Sequence, residues 1–485
     1  MGLRSFTILK NVIVTTACIG LLACTAACGN ETATKPAASV SPSLGSVAIF
    51  TPSDGITLSQ YTPLNKWAKL VPEITQQLEH LGFPSGSIST HKDNNLDKQS
   101  QDIQDYVVNV ASGDDSSSAS TGETTLIVAP CASTDKTVAQ YGDYVTKPDT
   151  SSDTGNDAAS ERLSSALELA KKSGMHVIVL SNDISGVTPD VVVRMSTANM
   201  IGRLQAKQLV SKLQLGAASA SNPKILEIML PVSPSSEESN VSMQFAQEAF
   251  KGMWSVLGKY FASGAAISAS GSLNANTTQS SWSSVSFTVN NDADIRQELE
   301  RRLDCDKSSP THIDGIIAMN DYVASVVIDE LASLGYQGSA ADINPSITIM
   351  GIVGNLAGHK DLVKSAVPAP NHAPYDGDSS HHDDAASWPI VTGYGAYTAM
   401  LPDIVDGKLW MTAMEDRKTI AEDIAQATKR LASGNSLTSM KSVSKTTVNG
   451  KTLPVITEDL VAVSASNLKV ELIDPGYVTL ADAGL

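Results

Sequence analysis

From Gly45 onward, apolar runs that end in polar residues alternate with stretches of helical spacing. GSVAIFTPSDG predicts a first strand, and NKWAKLVPEITQQLEHLG predicts a helix closed by Gly82. SGSISTHK, a helix from about Lys98 to Val110, and TTLIVAPC follow. In ERLSSALELAKKSG the residues Leu163, Leu167 and Ala170 form one helical stripe, and Gly174 stands at the C-cap position. HVIVLSND then closes the series as a fourth strand. Strands apolar on both faces, alternating with amphipathic helices, specify a parallel sheet covered on both sides.

After VVVRMSTANMIG the same rhythm restarts. KILEIMLPV, the helix around QFAQEAFKGMWSVLGKYF, SVSFTVN, the helix IRQELERRL, GIIAMND and the helix YVASVVIDELASLG repeat the order. Val323, Val327, Leu331 and Leu334 form the stripe of that last helix, which Gly335 ends. The expectation is an α/β protein of two doubly wound lobes. Ser, Gly, Asp and Ala-rich inserts at 112–122, 146–159, 264–281 and 368–387 carry no apolar periodicity and read as surface loops.

The first residues follow a different pattern. Arg4 and Lys10 precede the short apolar run NVIVTTACIGLLA, and small residues and cysteines come next, which is a secretory signal rather than a membrane span. Leu21-Leu22-Ala23-Cys24 resembles a bacterial lipobox, with Cys24 as the lipidated residue; Cys28 in TAAC is the alternative. Residues 24–44 are small, polar and Pro-containing, a flexible tether. Cleavage before Cys24 removes the two cations Arg4 and Lys10, taking the formal charge from −17 to −19. With no basic run or aromatic-basic interleaving, that charge argues against nucleic acid as a partner. Cys131 and Cys305 are distant in sequence and read as isolated thiols.

In a parallel α/β sheet, ligands sit beyond the carboxyl ends of the strands. The candidates are therefore Thr51 to Asp54, including Ser53; Cys131 to Thr134; Ser181 to Asp183, including Asn182; Pro231 to Ser236; Asn320 with Asp321; and Tyr394 to Tyr397. Nearly all are polar, which suits a hydroxyl-rich ligand. No G-x-S-x-G elbow, H-E-x-x-H, P-loop or strand-linked G-x-G-x-x-G is present, so nothing organises a nucleophile, a metal or a nucleotide cofactor. His381, His382, Asp383 and Asp384 could meet a metal, but they stand in a loop-like segment and adjacent histidines project poorly onto one ion.

From about residue 45 to 477 the order of these stretches resembles the type I periplasmic-binding-protein-like sugar receptors of ABC transporters, in their xylose and multiple-monosaccharide branch. STANMIGRLQAKQLV resembles the first crossover, with Asn199, Gly202 and Gln205 at the patterned positions; WPIVTGYGAYTAMLPDIVDGKLWMTAMEDR resembles the return. The resemblance implies lobes at 45–197 plus about 415–440 and at 198–414, with 441–485 as final crossover and tail. It implies a non-enzymatic, monomeric, lipid-anchored protein on the extracytoplasmic face, without a cofactor. The two lobes would close by a hinge on a monosaccharide, and an ABC permease would read the closed state.

Carried over residue by residue, it assigns ligand contacts to Ser53, Asp54, Trp67, Asn182, Asp183, Asn199, Asn320, Asp321, Tyr394, Gly395 and Glu415. The chain departs from the family at three of them. Asp183 stands for an arginine, Gly395 for a carboxylate and Glu415 for a lysine. An arginine's donors cannot be replaced by an acceptor-only carboxylate without inverting the hydrogen-bond pattern. The departures imply either a different ligand, such as an amino sugar, a cation or a donor-rich molecule, or a surface or sensory lipoprotein that has lost sugar binding. ITIMGIVGNLAGHKDLVKS could substitute for the later strand-and-helix unit, placing Gly351 to Asn355 at the site.

Overall fold

The computed structural model describes residues 44–53, 62–113, 121–131, 136–146, 157–234, 239–304, 310–340, 387–448 and 450–484. The lipobox, Asp54, the loop 381–384 and the alternative unit at 351–355 lie outside them, as does most of each insert at 112–122, 146–159 and 368–387.

The first five strands are β1 (Ser46–Pro52), β2 (Ile88–Asp93), β3 (Thr124–Val128), β4 (His176–Leu180) and β5 (Val191–Arg194). The helices between them are α1 (Trp67–His80), α2 (Leu96–Ser112), the single turn α3 (Lys136–Ala139) and α4 (Asp157–Lys172). Alternation along the strands divides the core. Val47 and Ile49 pack with Leu70, Ile74 and Leu78 of α1 on one face. Ala48 and Phe50 pack with Ile103 of α2 and Leu163 and Leu167 of α4 on the other. The glycines after α1 and α4 adopt left-handed φ, +102° at Gly82 and +89° at Gly174, which is why the chain can reverse there.

The second half runs α5 (Ala198–Lys212), β6 (Lys224–Ile228), β7 (Leu230–Val232), α6 (Ser239–Ala262), β8 (Ala266–Ser268), β9 (Ser286–Thr288), α7 (Asp292–Leu303), β10 (Gly315–Ile317) and α8 (Asp321–Ser333). It continues with β11 (Ile390–Thr392), α9 (Leu401–Asp406) and β12 (Met411–Glu415), then α10 (Arg417–Ala432), β13 (Val443–Val448), β14 (Lys451–Thr457) and β15 (Leu460–Ser464).

Two large sheets result, with strand orders β13-β14-β5-β4-β3-β1-β2 and β15-β12-β11-β10-β6-β8. Pairing is parallel except between β13 and β14 and between β12 and β15. Apart from the β13-β14 hairpin and β15, each sheet has the doubly wound order with its first strand second from one edge. The chain passes between the sheets three times: through Met195–Thr197 from β5 to α5, through Asp416 from β12 to α10, and through Glu458 and Asp459 from β14 to β15. Two lobes joined by three crossings is the architecture that the sequence resemblance implies.

One strand differs from the sequence reading. SVSFTVN supplies β9, which pairs with β7 in a separate two-stranded sheet. The neighbour of β6 in the main sheet is β8, inside the segment 264–281 read as a loop. Three residues, Ala-Ile-Ser, are too few to show a period. Ser268 is held there by a hydrogen bond to Glu227 Oε1 at 2.7 Å.

Glu227 belongs to a buried charge cluster. The Arg302 side chain is fully buried and faces Glu227 at 3.3 Å and Glu298 at 2.7 Å, and it also donates to the carbonyls of Ile228 and Val285. Helices α5 and α6 touch backbone to backbone. A Cβ on Gly202 would lie 2.2 Å from Ala249 O, and one on Gly252 would lie 2.1 Å from Asn199 O.

Candidate functional site

Residues from both lobes and from the crossing segments meet between the sheets. From the second lobe, Asn320 caps α8 through its side-chain oxygen, bonded to the Val323 amide at 2.9 Å. Asp321, the first residue of that helix, is fully buried; its carboxylate accepts from the Tyr397 amide at 2.9 Å and the Thr412 hydroxyl at 2.8 Å. Burial pushes the Asp321 carboxyl up to about 7, and the Tyr397 amide and Thr412 hydroxyl oppose that rise.

Tyr394, also fully buried, sends its hydroxyl to a hub. It pairs with Ser196 Oγ at 2.5 Å and accepts from Asn65 Nδ2 at 3.1 Å. Ser196 lies on the first crossing, and its amide donates to Glu415 Oε1 at 2.5 Å at the start of the second. Burial pushes Glu415 up to about 7, with the Ser196 bonds opposing. Burial also raises the Tyr141, Tyr394 and Tyr397 phenols, so all three stay neutral donors at neutral pH.

Among the buried side-chain atoms without a hydrogen-bond partner, which occur in several parts of the described residues, two belong to this region, Asn65 Oδ1 and Glu415 Oε2; the Asn320 amide is directed at the Tyr141 hydroxyl. Asn65, Glu415 and Asn320 are 1%, 1% and 0% exposed. An unpaired buried polar group costs on the order of 1–3 kcal/mol, so these two atoms call for a hydrogen-bonding partner.

The structure gathers Asn320, Asp321, Tyr394, Gly395 and Glu415 among the predicted residues into this interlobe region. Gly395 contributes backbone: its amide donates to Ala413 O and its carbonyl accepts from Leu64 N at 2.9 Å. With φ at +123°, a Cβ there would lie 2.7 Å from the Tyr397 ring, so the position holds no side chain without displacing that tyrosine.

Ser53, Asn182 and Asp183 lie instead at the rim of the first lobe. Ser53 Oγ donates to Asn94 Oδ1 at 2.5 Å. Asp183 is paired with Arg194 at 3.3 Å, so a guanidinium does stand beside β4 but comes from the end of β5. Ser181, between β4 and Asn182, has φ at +63°, a left-handed value for a residue with a side chain.

Two other predicted residues are engaged by the protein itself. Trp67 is 3% exposed and packs on Tyr144 with ring centroids 5.1 Å apart, at the start of α1. Asn199 sits at the crossing of α5 and α6, where its amide donates to Glu248 O at 3.4 Å. Gln205 of the same pattern is a buried clamp, donating to Met319 O at 2.7 Å and accepting from Thr392 at 2.8 Å. These positions hold the second lobe together.

Asn65, Ser196, Tyr141 and Thr412 were not singled out from sequence. Ser196 follows β5 and could have been reached by the strand-end rule, whereas Asn65 and Tyr141 lie in connecting segments without a periodic signal. Cys131 is buried, with its amide bonded to Gln99 Oε1 at 2.8 Å. Among the described residues no group of three or more His, Cys, Asp or Glu side chains could hold a metal. No helix among them is long and apolar enough to cross a membrane. A separate groove of about 640 Å³, beside α10 and the third crossing, is lined by Asp423, Arg430, Lys441, Ser442 and Glu458, and includes none of the interlobe cluster.

No protein-family model and no curated protein matches the chain. Solved structures do. An ABC transporter solute-binding protein of Clostridium phytofermentans with bound β-D-glucose aligns over 90% of this chain and 99% of its own, at 19% identity and a TM-score of 0.49. A carbohydrate transporter solute-binding protein of Chloroflexus aurantiacus in complex with D-glucose covers 90% and 97%, also at 19% and 0.49. The Caulobacter myo-inositol binding protein covers 92% and 99%, at 15% identity and 0.42.

Proposed function

We propose that this chain is the lipid-anchored, extracytoplasmic solute-binding protein of an ABC transporter, and that it holds a monosaccharide or related small polar molecule between its lobes by hinged closure. The observation that carries the reading is the convergence of buried polar side chains from the first lobe (Asn65), the second lobe (Asn320) and a crossing segment (Glu415) on the region between the two sheets, with Asn65 Oδ1 and Glu415 Oε2 unpaired. Asn65 Oδ1 accepts, Glu415 accepts when ionised and donates when protonated, and a hydroxyl group can serve either role. A ligand touching both lobes binds the closed state better than the open one and so shifts the population further toward closure.

The test is a thermal-shift screen followed by calorimetry with monosaccharides, inositols, amino sugars and polyamines. A true ligand raises the melting temperature by mass action, by an amount set by its concentration over Kd. Asn320→Ala should weaken its binding at least tenfold. No shift with any member of the panel would end the uptake reading.

A second reading has its own support: a surface or sensory lipoprotein in which the sugar site is altered or gone. It rests on Gly395, where no side chain fits beside Tyr397. Calorimetry separates the two, because under this reading no sugar binds to the wild-type protein.

A further inference from the structure

The segments that follow β1 and β3 are docked on the opposite lobe by the chain's own groups. Leu64 donates its amide to Gly395 O at 2.9 Å, and Asn65 donates to the Tyr394 hydroxyl at 3.1 Å. In the other direction, the Tyr397 hydroxyl lies 2.7 Å from Gln140 O and 2.8 Å from Gln140 Oε1. Tyr141 lies against Phe245 of α6 at a centroid distance of 4.5 Å, and Leu64, Val138, Tyr141 and Val145 belong to the same continuous apolar core as the second lobe.

These segments are also tied to each other and to the first lobe. Tyr144 donates to Lys66 O at 2.5 Å and Lys66 pairs with Asp143 at 3.0 Å, joining the two segments, and Ser181 Oγ after β4 donates to Tyr144 O at 3.1 Å. The second-lobe side is also braced. The Tyr397 amide is fixed by Asp321, and Ala396 between Gly395 and Tyr397 adopts φ of +49° to present the turn. A left-handed alanine persists only where its surroundings hold it.

We infer that Leu64, Gln140, Tyr141 and Tyr397 form an interlobe latch that keeps the two lobes closed without a ligand. Closure free energy is then supplied by the chain itself, and a ligand tunes an equilibrium that already favours the closed state. This goes beyond the receptor reading and holds under either proposed function.

The Leu64 amide reports the latch directly, since its acceptor is on the other lobe. Hydrogen exchange followed by mass spectrometry on the full-length protein without added ligand should find slow exchange in the peptide spanning 62–66. Tyr397→Phe removes both hydroxyl contacts and should speed that exchange roughly tenfold. Gln140→Ala, which removes one, should speed it less. Peptides from β4 serve as the internal control and should not change, which separates latch release from global unfolding.

Fast exchange at 62–66 in the ligand-free wild-type protein would overturn the latch. So would rates unchanged in both variants. A sugar panel without binders would instead overturn the receptor reading and leave the latch standing.

Discussion

The backbone amide of Ser196 donates to Glu415 Oε1 at 2.5 Å, joining the first crossing segment to the end of the strand that feeds the second. A strand leaving the first lobe and a strand leaving the second are thereby fastened at the hinge by a single carboxylate.

That carboxylate makes stability depend on pH. Burial raises Glu415 from 4.5 to about 7, so between roughly pH 4.5 and 7 the folded chain holds a proton that the unfolded chain has lost. Stability from this group is therefore fully present below about pH 4.5 and is lost as pH rises through 7, by at most about 3 kcal/mol. Glu415→Gln keeps an acceptor for Ser196 without the charge. Thermal melts should show it more stable than wild type at pH 8 and equal to it at pH 4.5.

Arg302 is expected to be the most sensitive single side chain of the second lobe. Arg302→Ala leaves Glu227 buried beside an uncompensated space, and the expected loss is about 3–5 kcal/mol in urea denaturation. Arg301→Ala, one residue earlier and exposed, should lose under about 1 kcal/mol although it pairs with the same Glu298 at 2.7 Å.

Gly252→Ala should destabilise by more than about 2 kcal/mol in the same assay, because the new methyl would enter the carbonyl of Asn199 and force α5 from α6. Gly216, where a Cβ meets nothing within 4 Å, is the matched control. Gly216→Ala should fall within about 0.5 kcal/mol of wild type.

At the rim, Asp183→Ala removes an ion pair with partial exposure on both sides, so urea stability should change by less than about 1 kcal/mol. Calorimetry with a ligand from the sugar screen should nevertheless show weaker binding, since the change also frees Arg194 beside the proposed site. Unchanged affinity would remove Asp183 from the site.

Much of the architecture could be read from apolar runs. The strand at His176–Leu180 and the left-handed glycines at 82 and 174 stand where the pattern places them, because burial on both faces and helix reversal each leave a mark on local sequence. β8 could not be read, since a three-residue strand with a serine carries no period and owes its place to Glu227.

For the candidate site, strand-end logic picked out Asn320, Asp321 and Tyr394, which the structure brings into the interlobe region. The sequence could not show that Trp67 packs on Tyr144, because an aromatic at the start of a helix is apolar whether it meets core or ligand. Nor could it show that Asn199 meets Glu248 O, since that contact depends on the approach of α6.

The shortness of the crossings has a mechanical consequence. Any rotation of one lobe against the other must be absorbed within Met195–Thr197, Asp416, Glu458 and Asp459. Glu458 is pushed up to about 7 by burial and by the neighbouring carboxyls of Asp423, Asp416 and Asp459. The pivot thus gathers carboxyl groups at the points that must bend, with Arg430 and Lys441 lining the same groove, and its stiffness answers to counter-ions. Lobe motion in this protein should be felt as a function of the ionic strength of the medium as much as of any molecule it holds.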